Sequence, residues 1–167
     1  MLDILWQELT SGLRDRQHLA QVIIRLVAAM ILGGIVGIQR QTTRKPAGLR
    51  THMLVCVATT AVIVTCSASG MSTDGLSRVI QGIVTGIGFI GAGTILKLSH
   101  EHEIKGLTTA ASVLITAAIG LVVGLGSLGI ALMITVLALG VLLLAPFEHS
   151  IAGEGGEQSR ESRHHER

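Results

Sequence analysis

Residues 106–147 contain no Asp, Glu, Lys or Arg. A hydrocarbon core of roughly 30 Å takes about 20 helical residues to cross, so this run alone holds two spans. Gly124-Leu125-Gly126-Ser127-Leu128-Gly129 is the natural break between them, since closely spaced glycines punctuate helices. Three more stretches of this kind precede it. Residues 19–38 are interrupted only by Arg25, residues 52–69 lie in a stretch without Asp, Glu, Lys or Arg between Arg50 and Asp74, and residues 79–96 are bounded by Arg78 and Lys97. With 107–124 and 128–145 they predict an all-α, polytopic transmembrane bundle of five spans over residues 19–145. Composition argues against a soluble domain: charged residues are 14% of the chain, against about 25% in soluble proteins, and mean hydropathy is +0.62.

Basic residues set the expected orientation. Arg40, Arg44, Lys45 and Arg50 follow the first span, Lys97 and Lys105 follow the third, and Arg160, Arg163 and Arg167 lie in the tail. The other side holds Arg14, Arg16 and Arg78, with Arg25 nearby. The N-terminus is therefore expected outside and the C-terminus in the cytoplasm. Residues 1–18 read as an interfacial segment with Trp6 at headgroup depth, and residues 146–167 as a disordered polar tail. The N-terminus lacks the basic region and cleavage site of a signal peptide, so the first span is expected to remain. Cys56 and Cys66 share one span. Ten helical residues separate them by about 15 Å, too far for a disulfide.

Small residues let helices approach closely in lipid. The first span carries Ala29, Gly33 and Gly37 in steps of four, with Arg25 one step earlier. The third has Gly82, Gly86 and Gly93 along one face and Gly88 and Gly91 on the other. Small residues on both faces predict a central position for it. The fourth places Thr108, Ser112, Thr116, Gly120 and Gly124 in steps of four; its hydroxyls could serve packing or line a polar path. The fifth, rich in Leu, Val and Ile, is expected to face lipid.

Motifs for chemistry are scarce. Gly86-Ile87-Gly88-Phe89-Ile90-Gly91 matches a dinucleotide-binding pattern literally. That fingerprint needs a preceding strand and a phosphate-facing turn, and here it lies in mid-span. Ser99-His100-Glu101-His102-Glu103 and the tail residues His164, His165 and Glu166 lack zinc-site spacing. No catalytic triad, cofactor motif or metal site is expected, and a net charge of +2 gives no nucleic-acid footprint. The spans hold no acid. Magnesium sites rely on carboxylates with retained water, so a midplane site for a bare divalent cation is hard to build from this chain. Ionisable residues within or bordering spans mark function more often than others. Arg25, on the glycine stripe of the first span, is the strongest candidate; Arg50 and Arg78 also fit the simpler role of interface anchors.

Several motifs in order resemble the MgtC/SapB family. They are Arg25, Leu32-Gly33-Gly34-Ile35-Val36-Gly37-Ile38-Gln39-Arg40, Pro46-Ala47-Gly48-Leu49-Arg50-Thr51-His52-Met53-Leu54-Val55, Arg78, Gly86-Ile87-Gly88-Phe89-Ile90-Gly91-Ala92-Gly93, Gly106-Leu107-Thr108-Thr109-Ala110-Ala111-Ser112 and Ala117-Ala118-Ile119-Gly120. The resemblance spans residues 25–144. It implies a bacterial inner-membrane protein of five spans, associated with magnesium limitation, acid stress and survival in phagocytes. Such proteins are regarded as regulators rather than transporters, with ATP synthase often raised as the membrane partner. This chain has Gln39 where the family leads one to expect Glu. Only a short polar tail follows the fifth span, so functions of the cytoplasmic C-terminal domain found in some members are not expected of it.

These readings predict a non-enzymatic regulator acting through contacts with membrane partners, with a homo-oligomer as a further candidate assembly. Its functional residues are expected to be Arg25, Arg50, Thr51, His52 and Arg78. The competing expectation is a small oligomeric transporter or channel lined by Thr108, Ser112 and Thr116.

Overall fold

The computed structural model describes residues 1–4, 16–98 and 103–144. Among the described residues from 16 onward, five helices follow one another: α1 (Arg16–Thr42), α2 (Leu49–Ala68), α3 (Thr73–Gly93), α4 (Leu107–Gly124) and α5 (Leu128–Leu143). Between α3 and α4, β1 (Leu96–Leu98) pairs antiparallel with β2 (Glu103–Lys105), Leu96 opposite Lys105. This small hairpin is the departure from an all-helical chain. Trp6, the His/Glu positions 99–102 and the tail from 145 onward lie outside the described residues.

Each charge-poor stretch is a helix, and α1 to α4 are long and apolar enough to cross a membrane. The 27 residues of α1 rise about 40 Å, whereas the 16 described residues of α5 rise about 24 Å, less than a hydrocarbon core of roughly 30 Å. Local chemistry sets the ends. The hydroxyls of Thr42 and Thr43 bond the Gln39 carbonyl at 2.9 and 3.0 Å as α1 stops. The loop to α2 puts Arg44 and Ala47 at φ 53° and 58°, a region that costs a non-glycine residue of order 1–3 kcal/mol. Ser72 caps α3 by accepting from the Gly75 amide at 3.2 Å. Gly106 closes the hairpin at φ +102°, where a Cβ would collide with the Thr94 carbonyl.

The centre is α4, not α3. The α4 window is 56% buried, against 11% for α3, and α4 packs against α1, α2, α3 and α5. This corrects the expectation from the two-sided glycines of the third span. A Cβ on Gly91 would meet Ala110 of α4 at ordinary contact distance, but nothing comes within 4 Å of a Cβ at Gly82, Gly86, Gly88 or Gly93. Small residues permit close approach; they do not compel it. The stripes of α1 and α4 are used. A Cβ on Gly37 would lie 2.6 Å from the Leu49 Cα, one on Gly33 2.7 Å from the Cys56 Cβ, and one on Gly124 2.7 Å from the Ile63 Cβ. Gly120 touches the Thr59 hydroxyl and the Cys56 backbone. The core joins Ala29, Val36, Cys56, Ile119, Val123 and Ala131. On α5, Ala131, Thr135, Ala138 and Leu142 turn inward while Leu132, Met133, Val136, Leu137 and Val141 stay exposed, an apolar face suited to lipid.

Candidate functional site

The chain reverses at each connection, so the end of α1, the starts of α2 and α4 and the end of α3 lie at one end of the bundle. Four buried polar side chains meet there: Arg40, His52, Thr109 and Ser112. Arg40 is only 3% exposed, and its Nη2 donates to the Thr109 Oγ1 at 2.7 Å. The Ser112 Oγ lies 2.8 Å from the Thr109 carbonyl and 3.3 Å from the His52 Nε2. The other ring nitrogen, Nδ1, is 3.0 Å from the Gly48 carbonyl. With Nδ1 donating to the Gly48 carbonyl, a neutral His52 accepts at Nε2, so the single Ser112 hydroxyl proton goes either to His52 or to the Thr109 carbonyl. Arg40, Thr109, Ser112, His52 and Gly48 form a contiguous polar chain linking α1, α4 and α2. Gly37 lets His52 in: its missing Cβ would stand 3.2 Å from the His52 Cβ.

Beside this chain, the Gln39 Nε2 donates to the Leu142 carbonyl at 3.2 Å, tying α1 to the end of α5. A carboxylate accepts only and could not make that bond, which gives the glutamine a role of its own here.

Arg25 sits at the opposite end. Its Nη1 donates to the Gly124 carbonyl at 2.9 Å, and its guanidinium packs against Gly126 in the α4–α5 turn, where φ is +88°. A cation at a helix C-terminus satisfies a free carbonyl and complements the macrodipole. Arg25 is half-buried and turned toward protein.

The predicted residues therefore separate. His52 and Ser112 meet in one cluster, while Arg25 holds the far turn. Arg50 and Arg78 are exposed and Thr51 is half-buried. Thr116 is buried, its hydroxyl bonded to the Ser112 carbonyl of its own helix at 2.8 Å. Thr108 is exposed and stands apart from the stripe; Thr109 takes its place. Four-residue steps overshoot a 3.6-residue turn by about 40° each, so a strict four-step stripe drifts around the helix. A mixed three-and-four spacing, Thr109-Ser112-Thr116, stays on one face and was the readable signal. Arg40 was counted only as a loop cation, since nothing in a sequence marks a basic residue at a helix end as buried.

Thr109→Val is expected to lower stability by about 1–3 kcal/mol, the cost of leaving a buried donor unpaired. Thr108→Val should stay within about 0.5 kcal/mol, as exposed substitutions do. Thermal unfolding of the two purified variants measures the difference; equal midpoints would remove Thr109 from the cluster.

Comparison with known proteins adds to this geometry. The model of the MgtC family matches residues 26–150. Protein SrpB of Synechococcus elongatus is 43% identical over 113 residues, covering 61% of this chain and 62% of that protein. The protein named putative magnesium transporter YhiD of Escherichia coli K12 is 46% identical over 114 residues, covering 64% and 52%. Protein MgtC of Salmonella typhimurium is 39% identical over 127 residues, covering 76% and 53%. The chain thus spans between about half and three-fifths of the length of these relatives. No solved structure matches it.

Proposed function

This chain belongs to the MgtC family, and from that premise we propose that it is a non-enzymatic regulator of the bacterial inner membrane acting through helix contacts with other membrane proteins. It has five spans in this reading, with the N-terminus outside and the basic α1–α2 connection in the cytoplasm. Its setting is adaptation to low magnesium, acid stress or intracellular survival. ATP synthase and a second copy of the chain are the candidate partners.

One observation carries the reading. Gly82, Gly86, Gly88 and Gly93 meet nothing within 4 Å, whereas glycines on α1 and α4 sit in backbone-close contacts. A glycine in a helix interior costs about 0.8–1 kcal/mol relative to alanine. Four on one peripheral helix, beside the exposed Phe89, suit a helix that packs against a partner. The transport alternative draws on the name of the Escherichia coli relative. Its proposed lining is weakened by the geometry: Ser112 and Thr116 are buried and bond the backbone of their own helix.

Gly86→Leu is expected to leave the fold intact, or to raise helix stability by up to about 1 kcal/mol, while abolishing function. The assay is growth of a deletion strain in low-magnesium medium, complemented with wild type or variant, with ATP and total magnesium recorded together. A regulator predicts abnormal ATP with normal magnesium uptake in the deletion strain and in the Gly86→Leu strain. Slowed magnesium uptake, or full complementation by Gly86→Leu, would overturn the proposal.

A further inference from the structure

Arg40 is the buried charge that the polar chain does not explain. Its Nε is buried and has no hydrogen-bond partner among the described residues. The acceptor of its Nη2 is a neutral hydroxyl. No acidic residue occurs between Asp15 and Asp74, and no carboxylate meets Arg40 among the described residues. Removing an ion from water is costly unless an opposite charge and hydrogen bonds compensate.

The surroundings add positive potential. Thr109, the acceptor of Arg40, lies in the first turn of α4. His52, joined to the same cluster through Ser112, lies in the first turn of α2. Both helices begin on a glycine N-cap, Gly48 and Gly106, without a side-chain cap and without an acid in the first turn. Their ladders open with His52 N to Gly48 O and Ala110 N to Gly106 O, so the amides just before these lie ahead of the first helical bond. Helix N-termini carry about half a positive charge each and bind anions through such amides. By contrast α3, which starts at the other end, is capped by Ser72 and carries Asp74 in its first turn. Arg50 in the first turn of α2, with Arg44 and Lys45 in the preceding loop, is exposed at the Arg40 end.

We propose that this end of the bundle, between Arg40 and the first turns of α2 and α4, binds a phosphate group. A guanidinium fork together with free helix amides suits a group presenting several anionic oxygens. Lipid headgroups and soluble phosphate carry the same chemistry. The rise of about 40 Å along α1 against a hydrocarbon core of roughly 30 Å places its end within reach of headgroups. The site is independent of the α3 face and stands whether or not that face binds a partner.

The test uses the full chain carrying Cys66→Ser, so that Cys56 is its single thiol, in phosphatidylcholine nanodiscs, with thermal unfolding followed by a thiol-reactive dye that reports exposure of buried Cys56. One arm exchanges phosphatidylcholine for phosphatidylglycerol; the other adds inorganic phosphate against chloride at equal ionic strength. The midpoint should rise by several degrees in at least one arm. A rise with phosphatidylglycerol alone identifies a lipid ligand; a rise with inorganic phosphate identifies a soluble one. Arg40→Met should abolish the rise and still fold, because it removes an uncompensated buried charge while keeping an unbranched stem. Arg50→Gln, at an exposed position, should weaken half-saturation about tenfold and tests the site even if Arg40→Met fails to fold. Arg78→Gln at the opposite end should respond as wild type. No rise in either arm, or a response in Arg50→Gln equal to that of wild type, would overturn the proposal.

Discussion

Gly37→Leu should yield a protein that inserts but does not close α1 onto α2. A Cβ at this position would stand 2.6 Å from the Leu49 Cα and 3.0 Å from the Leu49 carbonyl oxygen. These are backbone atoms, so no rotamer change in a neighbour can make room. Leucine adds three further carbons to the same overlap. The expected cost is at least about 3 kcal/mol, the upper end for overpacking a close-packed interior. That is a large part of a total stability of about 5–15 kcal/mol. It also displaces His52, which packs beside Gly37, and so breaks the chain from Gly48 to Arg40. Labelling of Cys56 in membranes, with Cys66→Ser removing the other free thiol, provides the measurement. This thiol is fully buried against α1 in the wild type and should react rapidly in the variant. Because Gly86→Leu makes the same change in chemistry where a Cβ meets nothing, its Cys56 should stay protected. Protection in both variants would mean that the α1–α2 approach is looser than the structure has it.

Arg25→Met should lower stability by about 1.5–3 kcal/mol, the usual contribution of a hydrogen bond from a charged donor. The reason is local. The Gly124 carbonyl loses its donor, the last turn of α4 loses its cation, and the guanidinium leaves the face of Gly126. Half-exposure tempers the loss, since water can reach part of the vacated surface. Arg25→Lys should recover only part, because an ammonium lacks the planar fork that spans the turn. The informative readout is where the protein loosens. Hydrogen exchange should accelerate in the α4–α5 turn and at the start of α5, with the Arg40 cluster unaffected at the other end. Faster exchange at both ends, or at neither, would contradict a capping role. On this account loss of function in an Arg25 variant follows from a displaced α5.

Much of the architecture was legible because charge is so costly in hydrocarbon. Arg50, Asp74, Arg78 and Lys97 bracket the apolar runs, and helices occupy the runs between them. The break at Gly124–Gly129 was equally readable, and Gly126 does adopt a left-handed φ there. The stripe of Ala29, Gly33 and Gly37 could be read as a contact face because small residues recur there turn after turn, and the structure buries all three. The identity of the neighbour could not. Which helix stands at the centre depends on pairwise fit, and glycines on α3 look the same in a sequence as those on α4. Only the packed structure leaves Gly82 and Gly86 open while pressing Gly120 against α2.

The polar residues divide along the same line. The sequence by itself determined a family, an apolar helical chain and a small set of hydroxyl, histidine and arginine positions, because periodicity and charge cost act along the chain. The tertiary structure decided which of them meet. It turned Thr108 outward and Thr109 inward, set Arg25 and His52 at opposite ends, and buried Arg40 between α1, α2 and α4. Those outcomes depend on how three helices cross in space, and hydrogen bonds between residues 60 or 69 positions apart leave no periodic trace in the sequence.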